Sequence, residues 1–107
     1  MNVTVEARHM DITKALREHA EDKVAKLPRF YDGVQSVEVI LDYEAGQPKV
    51  EIIVQATRKA TFVAHERTED MYVAIDDCVD KLGVQLRRHK DKIKDHHGLT
   101  HEEAMER

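Results

Sequence analysis

A chain of 107 residues, 41% hydrophobic and 36% charged with a formal net charge of −4, allows one domain with one modest core and excludes a disordered composition. The lone Cys78 excludes an internal disulfide, and no apolar run approaches the roughly 20 residues of a membrane span. The opening MNVTVEARHM lacks the basic-then-apolar order of a secretory signal, so the expected setting is cytoplasmic, with no membrane.

Val3, Val5 and Ala7 alternate with polar residues and predict a first strand. Residues 12–27 predict a helix, with Thr13 as N-cap and Ile12, Leu16, Ala20, Val24 and Leu27 on one buried face. Pro28 disfavours helical geometry at Leu27 and ends it, and Asp32-Gly33 marks the next turn, with Phe30 and Tyr31 stapling that turn to the sheet. Val37, Val39, Leu41 and Tyr43 predict a second strand, residues 44–48 a short connection, and Val50, Ile52, Val54 and Ala56 a third strand antiparallel to the second. Residues 61–66 predict a fourth strand. Met71, Ile75, Cys78, Leu82, Leu86, His89 and Ile93 then recur at helical spacing over residues 69–94, a helix of roughly 39 Å. Gly98 is a natural stop. The order β-α-β-β-β-α defines an α+β fold: a four-stranded mixed sheet with two helices on one face and the other face solvated.

Charge is unevenly placed along this plan. Residues 81–94 carry Lys81, Arg87, Arg88, Lys90, Lys92 and Lys94 against Asp91 alone, a local +5, whereas residues 95–107 carry −3. Lys81, Gln85, Arg88 and Lys92 fall on one flank of the last helix, and His19, Lys23 and Lys26 fall beside the buried face of the first. Two helices on one sheet face would present these flanks together as a ridged cationic surface suited to RNA phosphates. The bland alternative is a solvated flank whose Lys and Arg stems cover the core edge. Among functions, the alternative is a protein-interaction or regulatory module whose charged helix binds an acidic partner.

Other chemistry finds little support. His96, His97 and His101 lie near Glu102 and Glu103, but without HExxH spacing or a nearby Cys they read as part of a solvated tail. His89 and Cys78 fall on the apolar stripe and read as packed core residues. Tyr72, at the edge of that stripe, also reads as packing. No phosphate loop, nucleophile elbow or carboxylate pair is present, so neither an enzyme nor a cofactor is expected.

The block Asp70-Met71-Tyr72-Val73-Ala74-Ile75-Asp76, followed by Lys81-Leu82, Gln85-Leu86 and Arg88-His89-Lys90-Asp91-Lys92, resembles the C-terminal helix of the ribosome hibernation promoting factor and ribosome-associated inhibitor A family. Asp11-Ile12-Thr13, Ala15-Leu16-Arg17 and Lys23-Val24-Ala25-Lys26-Leu27 match that family's first helix, and the resemblance covers about residues 2–95. It implies a double-stranded-RNA-binding-domain-like fold over residues 1–95; residues 96–107, by their own composition after the Gly98 stop, read as a short, frayed acidic tail. It also implies binding to the small (30S) ribosomal subunit and its 16S rRNA within 70S ribosomes, at the mRNA channel and the A and P tRNA sites. Occlusion there inhibits translation and preserves idle ribosomes in stress or stationary phase. The family's basic positions fall on Lys23, Lys26, Lys81, Arg88, Lys90 and Lys92, with a departure at Val84, where relatives often carry Arg. Some members lock single ribosomes and others help a second factor pair them into 100S dimers; the short acidic tail here is intermediate between the two types.

Overall fold

The computed structural model describes residues 1–98, and side chains as far as Ile93. It has the element order read from the sequence: β1 (Asn2–Arg8), α1 (Lys14–Val24), β2 (Val34–Glu44), β3 (Gln47–Ala56), β4 (Thr61–Arg67) and α2 (Met71–Gly98). The four strands form one sheet in the order β1-β2-β3-β4. β1 runs parallel to β2, whereas β2–β3 and β3–β4 are antiparallel, so the sheet is mixed.

Register fixes what faces the helices. Val5 pairs with Val39, Val39 with Ile52 and Ile52 with Ala64, so one row of apolar side chains crosses all four strands. Residues two apart point the same way. Val37, Leu41, Val50 and Val54 therefore extend that row into a layer, and each is at most 1% exposed. Leu16, Ala20 and Val24 of α1 and Ile75, Cys78, Leu82 and Leu86 of α2 close over this layer. Burying a branched aliphatic chain is worth about 1.5–3 kcal/mol, so this layer is the main stabilising term.

The helix limits differ from the periodicity reading, and the caps explain why. α1 starts at Lys14 because Thr13 is its N-cap: the Thr13 hydroxyl accepts from the Leu16 amide at 3.1 Å. It stops at Val24, and the chain tightens into a separate 3-10 turn at Leu27–Arg29 around Pro28. α2 starts at Met71 because Asp70 accepts from the Tyr72 amide at 2.8 Å, and it runs past residue 94 to Gly98. His101, Glu102 and Glu103 lie outside the described residues, as do the side chains of His96 and His97, so the reading of a solvated tail falls outside them too.

Phe30 and Tyr31 do more than staple a turn. Phe30 packs on α2 at Gly83, where an added Cβ would lie 3.2 Å from its ring, and the Arg87 guanidinium stands 5.4 Å over it. Tyr31 is buried and its hydroxyl meets the Thr57 hydroxyl at 2.8 Å. His89 stands edge-to-face between Tyr31 and Phe62, with centroids 4.9 and 5.1 Å away, as a packed residue should. Cys78 is fully buried among aliphatic side chains, and burial pushes its thiol pKa up to about 12. No helix among the described residues is long and apolar enough to cross a membrane.

Candidate nucleic-acid interface

The cations singled out by sequence do not meet on one surface. Asp76 and Lys81 are five residues apart on α2 and so point about 140° apart around its axis. Asp76 faces α1: its carboxylate accepts from His19 Nε2 at 2.8 Å and lies 3.5 Å from Lys23 Nζ. Lys81 faces the opposite way, toward the edge strand β4, where its ammonium is held by Glu66. The Lys81/Gln85/Arg88/Lys92 flank and the His19/Lys23/Lys26 flank therefore lie on opposite sides of α2. The expectation of one ridged surface built from both is corrected on this point. The cause is the sheet order: β4 is the edge on one side of α2, and α1 packs on the other.

On the β4 side, Gln85 Nε2 donates to the Val63 carbonyl at 3.1 Å, tying α2 to the edge strand. One turn on, Phe62, Gln85, Arg88, His89 and Lys92 line a shallow crease of about 280 Å³. The Arg88 and Lys92 side chains are exposed and make no ion pair among the described residues. Lys81 is different: its hydrogen bond to Glu66 holds the ammonium above the usual lysine range, and part of its charge is already answered.

On the α1 side, Lys23 shares Asp76 with His19, and the His19 ring meets Tyr72 edge-on at 4.9 Å. Lys26 and Lys90 are exposed and without an ion pair among the described residues. Lys90 lies about 40° from Asp76 around α2, and Arg87 about 20°. The cations that join Lys23 and Lys26 on this side are thus Arg87 and Lys90. Arg87 was missed as a site residue by sequence. Its signal was present, since it shares Asp76's flank, but which flank meets α1 is a property of the sheet order.

Six candidate residues therefore divide into three environments. Among the described residues, Arg88 and Lys92 are without an ion pair on the β4 side, Lys26 and Lys90 are without one on the α1 side, and Lys23 and Lys81 are each held by a carboxylate. Free ammonium and guanidinium groups release counterions fully on meeting a phosphate, whereas a held one must first lose its partner. Among the described residues no group of three or more His, Cys, Asp or Glu could hold a metal ion.

A β-α-β-β-β-α sheet with two covering helices and exposed cations along the longer one defines a small α+β module with a charged long helix. Comparison with known proteins narrows this class. The chain belongs to the sigma 54 modulation protein / S30EA ribosomal protein family, whose model matches residues 3–94. It is 40% identical over 92 residues to the ribosome hibernation promoting factor of Azotobacter vinelandii, covering 86% of this chain and 85% of that protein. Among solved structures it is similar to the N-terminal domain of Thermus thermophilus Protein Y, with a TM-score of 0.75 and 32% identity over 83% of this chain and 99% of that one. A ribosomal subunit interface protein from Coxiella burnetii gives a TM-score of 0.78 at 26% identity, over 85% of this chain and 99% of the other. The resemblance read from the Asp70–Asp76 block, and the α+β fold it implied, are borne out.

Proposed function

We propose that this protein is a cytoplasmic ribosome hibernation factor that acts without catalysis. It binds the small (30S) ribosomal subunit against 16S rRNA, in the mRNA channel and the A and P tRNA sites, and inhibits translation by occupying them. The observation that carries the reading is its family membership: relatives similar over most of the chain are named for ribosome hibernation. Arg88 and Lys92 on one side of α2, and Lys26, Arg87 and Lys90 on the other, supply cations on both flanks of the long helix, as an element wedged between RNA segments requires. Lys23 and Lys81 join them after giving up Asp76 and Glu66.

The test is co-sedimentation of the purified protein with 70S ribosomes and with isolated 30S subunits at two salt concentrations. The expected result is pelleting at low salt with both, weakening as salt rises, and displacement of bound mRNA. A protein that stays in the supernatant at low salt overturns the proposal. Gradients of the same samples show whether 70S ribosomes remain single or, with a second factor, move to the 100S position.

A further inference from the structure

The Asp70–Asp76 block is the most distinctive segment of the sequence, and the cationic surface does not use all of it. Met71, Ala74 and Ile75 are buried in the core, Asp70 caps α2, and Asp76 bridges to α1. Tyr72 and Val73 are left exposed, at 40% and 44%. Tyr72 lines a cleft of about 510 Å³ between the N-terminal ends of the two helices, and Tyr43, 44% exposed at the end of β2, lines it too. That volume lies in the range of about 300–1,000 Å³ typical of small-ligand pockets. Met10, Leu16 and Met71 supply further apolar lining.

The charge of this cleft is opposite to that of the helix flanks. Asp11, Glu69 and Asp70 line it, and no Lys or Arg does. Asp70 is engaged in capping, but Asp11 and Glu69 make no ion pair or side-chain hydrogen bond among the described residues. Two helix N-termini contribute roughly half a positive charge each, which leaves three carboxylates in clear excess. A phosphodiester chain is repelled here, so the cleft is no continuation of an RNA surface. The group that fits is a cation with a flat or aliphatic body. An arginine guanidinium stacks on tyrosine rings and takes carboxylates in a two-pronged hydrogen bond, and a lysine stem packs on the same rings.

We propose that the cleft between the N-terminal ends of α1 and α2 docks an arginine- or lysine-bearing segment of a protein partner, its cationic head on Asp11 and Glu69 and its body on Tyr43 and Tyr72. The protein then presents two recognition surfaces of opposite sign, one for RNA along α2 and one for a basic polypeptide at the other end of the same helix.

The probe is a capped peptide of four Arg-Gly repeats, titrated into isotopically labelled protein and followed by amide shifts. Its controls are the same peptide with citrulline in place of Arg, and an A-form RNA duplex. The expected result is that the Arg peptide moves the amides of Met10, Asp11, Tyr43 and Tyr72, that the citrulline peptide does not, and that the duplex leaves these amides in place. Glu69→Gln combined with Tyr72→Leu should weaken the peptide about tenfold or more while the rest of the spectrum stays folded. Glu69→Gln with Tyr43→Ala is the second variant and should act in the same direction, since Tyr43 lies outside the helices. Equal binding of the citrulline peptide, shifts centred elsewhere, unchanged affinity in both variants, or movement of the cleft amides by RNA would each overturn the proposal. The assay contains no ribosome, so its failure leaves the hibernation reading standing, and failure to pellet with ribosomes leaves this cleft standing.

Discussion

Lys81 of α2 is held by Glu66 of β4, so the first cation of the helix's basic run reaches across to the sheet edge before it meets any ligand. Arg88 and Lys92, two and three turns further on, have no such partner among the described residues. Charge counting treats all three alike, but the structure ranks them. Replacing Arg88 and Lys92 together with Gln should weaken ribosome or rRNA binding about tenfold or more and lower the salt slope by about 2. Lys81→Gln should cost about threefold or less. Glu66→Gln should tighten binding by freeing Lys81. Filter binding across a salt series measures all three, and equal losses for Lys81→Gln and the Arg88/Lys92 pair would remove the ranking.

Asp76 holds the other flank, where one carboxylate answers both His19 and Lys23. Asp76→Asn should have two opposed effects. Affinity for RNA should rise, since Lys23 is released. Stability should fall by up to about 1 kcal/mol, because a half-exposed pair is screened by solvent. For a domain of this size that is a drop of about 4–8 °C in melting temperature. Lys23→Gln should lose RNA affinity without the gain. A melt combined with a binding curve separates the two effects.

Much of this was legible in the sequence, for physical reasons that also show where reading stops. Alternation at Val37, Val39 and Leu41 and four-residue spacing at Leu16, Ala20 and Val24 mark burial directly, so the elements and core followed. Helix ends were legible only where a cap is visible in the residue type: Thr13 read as an N-cap and is one, whereas Asp70 caps α2 through a single hydrogen bond that periodicity does not register, and the 3-10 turn at Leu27–Arg29 shortens the first helix. The angular position of Lys81 on its helix was correct. What lay beyond the sequence was the neighbour on that flank: β4, with Glu66 already aimed at it, in place of α1. Asp76 stands on the flank of α2 that meets α1, a placement that again depends on the sheet order.

Gly33 marks a position where packing forbids a side chain. An added Cβ there would come within 2.5 Å of the Tyr31 ring and 2.6 Å of the Thr57 hydroxyl oxygen. Both are fixed: Tyr31 is buried, its hydroxyl is bonded to Thr57, and the Thr57 amide donates to the Gly33 carbonyl at 2.9 Å. Gly33→Ala should therefore destabilise by about 1–3 kcal/mol through overpacking, with the Tyr31 ring displaced from His89. Denaturant unfolding measures the loss. A midpoint equal to that of the parent would mean that the Tyr31 ring moves freely.

Cys78 offers a pH signature with a definite sign. Its thiol is fully buried with a pKa of about 12, against an ordinary value of 9.0. Because the folded value is the higher one, the folded protein keeps a proton that the unfolded chain releases between the two values. This contribution to stability is complete below pH 9 and is lost as pH rises toward 12. The parent should thus lose stability in alkali more steeply than Cys78→Ala, although at neutral pH the Ala variant is the less stable one because it leaves a small cavity. Two denaturant series, at pH 7 and pH 10, test the crossing slopes. Labelling with a thiol reagent adds an independent reading: at neutral pH it should proceed only as fast as the core opens, and it should quicken when denaturant opens that core. Rapid labelling of the native protein would place the thiol outside the apolar layer between α2 and β3.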